Sequence, residues 1–132
     1  MQYHRNNRRK YLLLYHVIFV VKYRKKILSP EIAETVKASL INIASKSQFQ
    51  ISEMEVDKDH LHLMIDGNPE ISISQIVRRI KQQTTLELWL NHEVFLKRHF
   101  WLERTFLSDG YFASSVGNAG IDTVRQYIQN QG

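Results

Sequence analysis

The sequence contains no cysteine among its 132 residues. Disulfide frameworks, thiolate metal sites and cysteine nucleophiles are therefore excluded, and a reducing cytoplasm is the compartment that we expect. Glycine and proline are also scarce, with 5 and 2 residues, which argues against collagen-like, low-complexity and disordered chains. The hydrophobic fraction of 43% is typical of a globular protein, and the length predicts a single domain, residues 1–132, with one core.

Acidic residues are absent from the first 30 positions, although the whole chain carries 13 Asp and Glu residues. This segment has eight Lys and Arg residues, whereas the remaining 102 residues hold 10 positive and 13 negative charges. The formal net charge of +5 therefore originates in the first quarter of the chain. Such an asymmetry favours a polyanionic partner, because neutralised phosphates release counterions.

The apolar run at residues 11–21 is too short to cross a membrane, since it has about half of the 20 or so residues that a spanning helix needs. Basic residues precede it, as in a signal peptide, but no small-residue cleavage site follows, and the run contains His16. Its β-branched and aromatic side chains predict a buried strand instead. We expect no membrane association.

Local signals predict a helix and a hairpin after this strand. Ser29 is a typical N-cap, Pro30 suits the first helical position, and apolar residues then recur at helical spacing to about Ser47. Apolar and polar residues alternate at 49–56 and, after a polar turn, again at 60–66. This period of two predicts a β-hairpin.

The second half of the chain predicts one more helix, a last strand and a terminal helix. Ser72 and Gln75 form a capping-box signature for a helix toward Trp89. Residues 91–109 show no clear period, residues 111–116 resemble a strand, and residues 121–130 a short helix. The order predicts an α+β protein with a ferredoxin-like, RRM-like βαββαβ antiparallel sheet and an added C-terminal helix.

His60 and His62 are two positions apart on a predicted strand, so both imidazoles project from the same face of the sheet. Two neighbouring neutral imidazoles are good ligands for a divalent metal. The chain has six histidines, however, so two unrelated surface histidines also fit this pattern.

Tyr127 and Gln131 lie four apart on the predicted terminal helix and therefore share one face of it. When the helix is considered alone, a packing tyrosine and a polar helix terminus explain this pair better than a catalytic role does.

Four sequence blocks in order resemble the single-tyrosine HUH transposases, the small enzymes of bacterial and archaeal insertion sequences that move as single-stranded DNA. The blocks are YHVIFVVKYRKK at 15–26, DKDHLHL at 57–63, KQQTT at 81–85, and GYFASSVG at 110–117 with VRQYIQNQ at 124–131. The combination of the second block with the tyrosine and glutamine of the last is highly specific. One departure is Leu107, where many relatives carry tryptophan.

The resemblance implies both an active site and a mechanism. His60, His62 and Gln131 would hold Mg²⁺ or Mn²⁺, and Tyr127 would be the nucleophile. Attack of its oxygen on a DNA phosphorus would give a 5′-phosphotyrosine and a free 3′-OH, while the metal polarises the phosphate. A 3′-OH from another strand would reverse the step without ATP.

The resemblance also implies partners. Members of this family are homodimers that recognise subterminal DNA hairpins, and the tyrosine helix can dock on the histidine pair of the other subunit, a movement that Gly117 and Gly120 would permit. Tyr23 is a candidate platform for base stacking. The candidate phosphate contacts are Arg5, Arg8, Arg9, Lys10, Lys22, Arg24, Lys25, Lys26, Arg78, Arg79 and Lys81.

Two alternatives use the same elements. A non-catalytic nucleic-acid-binding module with an RRM-like sheet fits the strand order, but the aromatic core strand of that module is missing. An HUH replication initiator or relaxase would have the same histidines and tyrosine, but usually in a longer chain. Histidine-triad hydrolases would need a third alternating histidine at Met64, and two-histidine phosphoesterases a second copy of the motif.

Overall fold

The computed structural model describes residues 4–6, 9–11 and 13–116, with side chains for residues 13–116. Predicted helix 121–130 lies outside these residues, as do Arg8, Gly117, Gly120, Tyr127 and Gln131. The elements in chain order are β1 (His4–Asn6), β2 (Arg9–Tyr11), β3 (Leu14–Val21), a 3₁₀ turn (Lys22–Arg24), α1 (Pro30–Ser45), β4 (Gln50–Val56), β5 (His60–Asp66), α2 (Ile73–Asn91), α3 (Glu93–His99) and β6 (Leu107–Val116).

Four strands form the main sheet in the order β4-β5-β3-β6, and every neighbouring pair is antiparallel. The short strands β1 and β2 pair with each other in a separate two-stranded sheet, which the sequence pattern did not predict. The prediction of an α+β protein with an antiparallel sheet is confirmed. β3 is a central strand, and its long apolar run suits a position with strands on both sides.

The core lies between one face of this sheet and the helices. Because side chains alternate along a strand, odd-numbered residues of β3 and β5 enter the core, and they pack with apolar residues of α1 and α2. The main contributors are Val17, Phe19, Val21, Leu61, Leu63 and Ile65 from the strands, and Val36, Leu40, Ile76 and Ile80 from the helices. The other face presents His16 and His62, which are also buried.

The helix starts and the hairpin follow the local signals. The Ile32 amide contacts the Ser29 hydroxyl, and Ser72 and Gln75 form both hydrogen bonds of a capping box. Helix α1 ends at Ser45, two residues before the predicted end, and the Ser47 hydroxyl donates to the Ile43 carbonyl. The hairpin strands β4 and β5 agree with their predicted ranges to within one residue.

Residues 91–109, for which the sequence predicts no element, contain α3 and the start of β6. Helix α3 has seven residues and buries only Leu96, so its sequence shows no apolar residues recurring at helical spacing. Strand β6 begins at Leu107, four residues before the predicted start. Leu107 belongs to the buried core.

None of the described helices is both long enough and apolar enough to span a bilayer.

Candidate active site on the sheet

The histidine pair lies at the beginning of β5, directly after the hairpin turn. The rings of His60 and His62 meet edge to face, with 4.5 Å between their centroids. His62 is 5% exposed as a residue, and the side chain of His60 is 12% exposed. The prediction that both imidazoles share a sheet face is confirmed, but they are enclosed rather than surface histidines.

The hairpin turn provides two carboxylates to His60. Its Nδ1 atom lies 2.6 Å from Oδ1 of Asp59, and its Nε2 atom lies 3.5 Å from Oδ2 of Asp57. Burial acts to raise the pKa of Asp59, but its hydrogen bond with His60 and the charges of His60 and Arg24 outweigh burial and lower it. An ionised Asp59 accepts the Nδ1 proton and thereby fixes the ring orientation of His60.

His62 is held as a neutral imidazole. Burial, followed by the charges of His60 and His16, lowers the pKa of His62 to about 4. Its Nδ1 atom is buried and has no hydrogen-bond partner among the described residues. A neutral imidazole with an unsatisfied nitrogen is suited to accept a hydrogen bond or to bind a metal ion.

His16 is a third histidine of this site that sequence analysis did not select. Its ring centroid lies 5.8 Å from that of His62, because antiparallel pairing places Ile18 opposite His62 and leaves His16 diagonal to it on the same face. Burial lowers the pKa of His16, so it is also neutral. The sequence shows that His16 and Ile18 share one face of β3. Only the register between β3 and β5 shows that this face is the one that carries His62.

Within residues 13–116, no group of three or more His, Cys, Asp or Glu side chains has the geometry of a metal site. The described part of the chain therefore supplies His60 and His62 as neighbouring ligands, and the predicted third ligand, Gln131, falls outside it.

Several predicted phosphate contacts have protein partners. The Lys22 ammonium pairs with Glu103 at 2.5 Å, and Arg24 Nε lies 3.8 Å from Asp59 Oδ2. Lys81 Nζ donates to the carbonyls of Ser108 and Asp109, at 2.5 Å each. Lys81 thus joins α2 to β6, which is a structural role that its sequence position did not reveal.

The other basic candidates are distributed over three regions. Lys25 lies over the ring of Phe100, and Lys26 is exposed close by. Arg78 and Arg79 are exposed on α2, where Arg79 contacts the Lys46 carbonyl at 3.4 Å. The backbones of Arg5, Arg9 and Lys10 belong to β1 and β2.

Comparisons with known proteins identify the kind of protein that carries this site. The family described as "Transposase IS200 like" matches residues 9–131. The ISDra2 transposase TnpA of Deinococcus radiodurans is 29% identical over 121 residues, which are 92% of this chain and 85% of that protein. The transposase for insertion sequence element IS200 of Salmonella typhimurium is 28% identical over 118 residues, or 89% of this chain and 75% of that protein.

Solved structures agree with these sequence matches. A crystal structure of a Deinococcus radiodurans protein assigned as a transposase has a TM-score of 0.81 at 26% identity and covers 97% of both chains. A REP-associated tyrosine transposase bound to a REP hairpin has a TM-score of 0.60 at 15% identity, over 94% of this chain and 68% of that one. The second likeness concerns the fold alone. The resemblance to transposases found in the sequence blocks is confirmed.

Proposed function

The chain belongs to the IS200-like transposase family, and we propose that it cleaves and rejoins single-stranded DNA at insertion-sequence ends through a 5′-phosphotyrosine. The observation that carries this proposal is the enclosed pair of imidazoles on β5, with His62 neutral and His60 oriented by Asp59. Such a pair is suited to bind a metal ion beside a phosphodiester, which is the arrangement that the family resemblance implies.

The donor set suits a divalent metal ion, which the family resemblance implies to be Mg²⁺ or Mn²⁺. His60 and His62 would provide two nitrogen ligands, and Gln131 would provide an amide oxygen. The unsatisfied nitrogen of His62 and the carboxylate on His60 support this assignment, because metal-binding imidazoles are usually oriented by such a carboxylate. When bound, the metal would polarise the scissile phosphate and stabilise the charge that develops on it.

Tyr127 would act as the nucleophile. Its phenolic oxygen forms a bond to phosphorus as the bond from phosphorus to the 3′ oxygen breaks, and the leaving oxygen takes up a proton as a 3′-OH. The phenol must lose its own proton, since its ordinary pKa near 10 keeps it protonated at neutral pH. The phosphotyrosine conserves the energy of the phosphodiester, so that a second 3′-OH reverses the step without ATP.

The order of the sheet supports a ferredoxin-like core, and we propose that Tyr127 lies on a helix added after this core. Strands β3, β4, β5 and β6 follow the chain order βαββαβ, with α3 as an extra helix before β6. We propose that the DNA substrate carries subterminal hairpins, since a tyrosine transposase of similar fold is bound to a REP hairpin. We also propose a homodimer whose active site is shared between subunits.

Denaturing electrophoresis tests the chemistry directly. The protein is incubated with end-labelled single strands from the ends of its own element, with Mg²⁺, with Mn²⁺ or with a chelator. We expect a metal-dependent covalent adduct that is lost in Tyr127→Phe and retained in Tyr111→Phe, a matched change of a tyrosine on β6. Tight DNA binding without an adduct on native ends would favour the non-catalytic binding module instead.

A mixture of inactive chains tests the shared active site. Tyr127→Phe retains the histidines, and His62→Ala retains the tyrosine. Equal amounts of the two variants should regain part of the wild-type adduct if the tyrosine of one subunit works with the histidines of the other. An inactive mixture would restrict catalysis to residues of a single chain.

A further inference from the structure

A pocket opens beside the 3₁₀ turn, between this turn and the segment after α3. It has a volume of about 590 Å³, which is within the usual range for sites that bind small molecules. We call it the aromatic pocket, and it is lined by Tyr23, Lys25 and the continuous segment 99–103. It contains neither of the two histidines of the candidate active site.

Three aromatic side chains give this pocket its character. Phe100 is buried and forms its base, whereas Tyr23 and Trp101 are 69% and 73% exposed. The Tyr23 and Phe100 rings are 6.4 Å apart and inclined by 34°. One exposed aromatic residue is ordinary, but two beside a pocket form an apolar patch of the kind that marks a binding site.

The charges around the aromatic pocket favour an anionic ligand. The ammonium of Lys25 lies 5.8 Å from the centroid of the Phe100 ring. Glu103 is the acidic residue among those that line the pocket, and Lys22 neutralises it with an ion pair of 2.5 Å. Burial and the nearby Lys25 and Arg98 lower the pKa of His99. His99 is therefore neutral near pH 7, and the lining combines ring faces with the positive charge of Lys25.

The backbone of the 3₁₀ turn links the aromatic pocket to the histidine pair. Tyr23 and Arg24 have φ angles of 61° and 52°, in the left-handed region that residues other than glycine avoid. The Val21 amide donates to the Asp59 carbonyl, and the Lys22 amide donates to the Phe106 carbonyl. These two hydrogen bonds fix the start of the turn to the segments on both sides of it. The turn thereby exposes Tyr23 at the pocket while Arg24 reaches Asp59, the partner of His60.

We propose that the aromatic pocket binds one unpaired base of single-stranded DNA, stacked against Tyr23 and Trp101, with Lys25 at the adjoining phosphate. Stacking on aromatic side chains next to a cation is the usual way in which proteins hold unpaired bases. The connection through Arg24 and Asp59 makes a nucleotide near the cleavage site the best occupant. This inference rests on the proposed function, since it takes its ligand to be the strand that the transposase cleaves.

Binding of two strands with the same backbone charge tests this proposal. One fluorescein-labelled probe is oligothymidylate of about 20 nucleotides, and the other is an abasic chain of equal length. We expect wild-type protein to bind oligothymidylate more tightly. Trp101→Ala should weaken that binding by about 5- to 100-fold and leave binding of the abasic chain unchanged. Trp101→Phe should retain most of the affinity.

Leu90→Ala is the matched control, because Leu90 is an exposed apolar residue on α2 outside the aromatic pocket. It should change neither affinity. Tryptophan fluorescence gives a second measurement, since the chain has two tryptophans and Trp89 is buried. Oligothymidylate should quench the wild-type emission, and this quenching should be absent from Trp101→Phe.

The proposal is overturned if Trp101→Ala weakens the binding of both probes equally, or if it changes the affinity for neither probe. The covalent adduct assay separates this result from the proposed function. An adduct together with no effect of Trp101 rejects the base site alone. Selective loss of oligothymidylate binding without any adduct keeps the base site and rejects the phosphotyrosine chemistry. A protein interface at this patch would show as self-association that Trp101→Ala reduces, with both probes unaffected.

Discussion

The guanidinium Nε of Arg24 lies 3.8 Å from Oδ2 of Asp59, whose other oxygen contacts His60. A residue in a left-handed turn after β3 is thereby connected with the carboxylate that orients a candidate metal ligand. Asp59 contacts both Arg24 and His60. A substitution of Asp59 should therefore affect the histidine pair more than a substitution of any exposed acidic residue.

Replacement of Asp59 by asparagine should reduce metal affinity while preserving the fold. The amide cannot provide the charged acceptor that keeps the Nδ1 proton of His60 in place, and removal of such partners typically costs about 10- to 100-fold in affinity. Titration calorimetry with Mn²⁺ measures this change. Glu34→Gln changes an exposed acid on α1, so it is a matched control and should bind as wild type does. Equal affinities for all three proteins would contradict a positioning role for Asp59.

The metal-free protein should lose stability as the pH falls from about 6.5 towards 4, because the pKa of His62 is lowered to about 4 in the folded protein. The unfolded chain binds a proton in this window that the folded chain excludes, so stability is present above the window and declines within it. The loss would reach about 3 kcal/mol. Burial of His16 acts in the same direction.

Urea unfolding with chelator, near pH 7 and again at about pH 4.5, measures this dependence. His62→Gln should be less sensitive to pH than wild type, since it removes one of the groups that must be protonated. If the loss of stability between the two pH values is as large in His62→Gln as in wild type, another group causes the acid sensitivity.

Lys81 and Arg78 are predicted to differ although both are basic residues on α2. Lys81→Met should cost about 1–2 kcal/mol of stability, because it removes the donor to two carbonyls of β6. Arg78→Met should leave stability nearly unchanged, since Arg78 is exposed. If Arg78 contacts a phosphate, its loss should reduce the salt dependence of single-strand binding by about 0.7 in logarithmic slope. Lys81→Met should retain the wild-type slope; the reverse result would reassign both residues.

Ser72→Ala should destabilise the protein by about 1 kcal/mol, because α2 would lose the side-chain acceptor at its first turn. Ser72→Asp keeps an acceptor at this position and should retain most of the stability. Urea unfolding of the two variants and wild type measures the difference. If Ser72→Ala and Ser72→Asp lose the same amount of stability, the side-chain acceptor of Ser72 is not what stabilises the start of α2.

Helix starts and the hairpin were predictable because their signals lie within a few residues of each other. Ser29 and Ser72 act on amides three positions away, and the alternation along β5 places His60 and His62 on one face whatever strand pairs with it. The family resemblance added the proposed roles of Tyr127 and Gln131, which lie outside the described residues.

Sequence analysis could not predict the features made by distant segments. His16 is near His62 only because β3 and β5 pair in one particular register, and Lys81 reaches β6 across 27 positions. The aromatic pocket joins residues 23–25 to 99–103, and α3 buries a single leucine. Local hydrogen bonds and side-chain periodicity depend on neighbours along the chain, whereas these contacts depend on strand order and packing, which bring together residues that share no pattern.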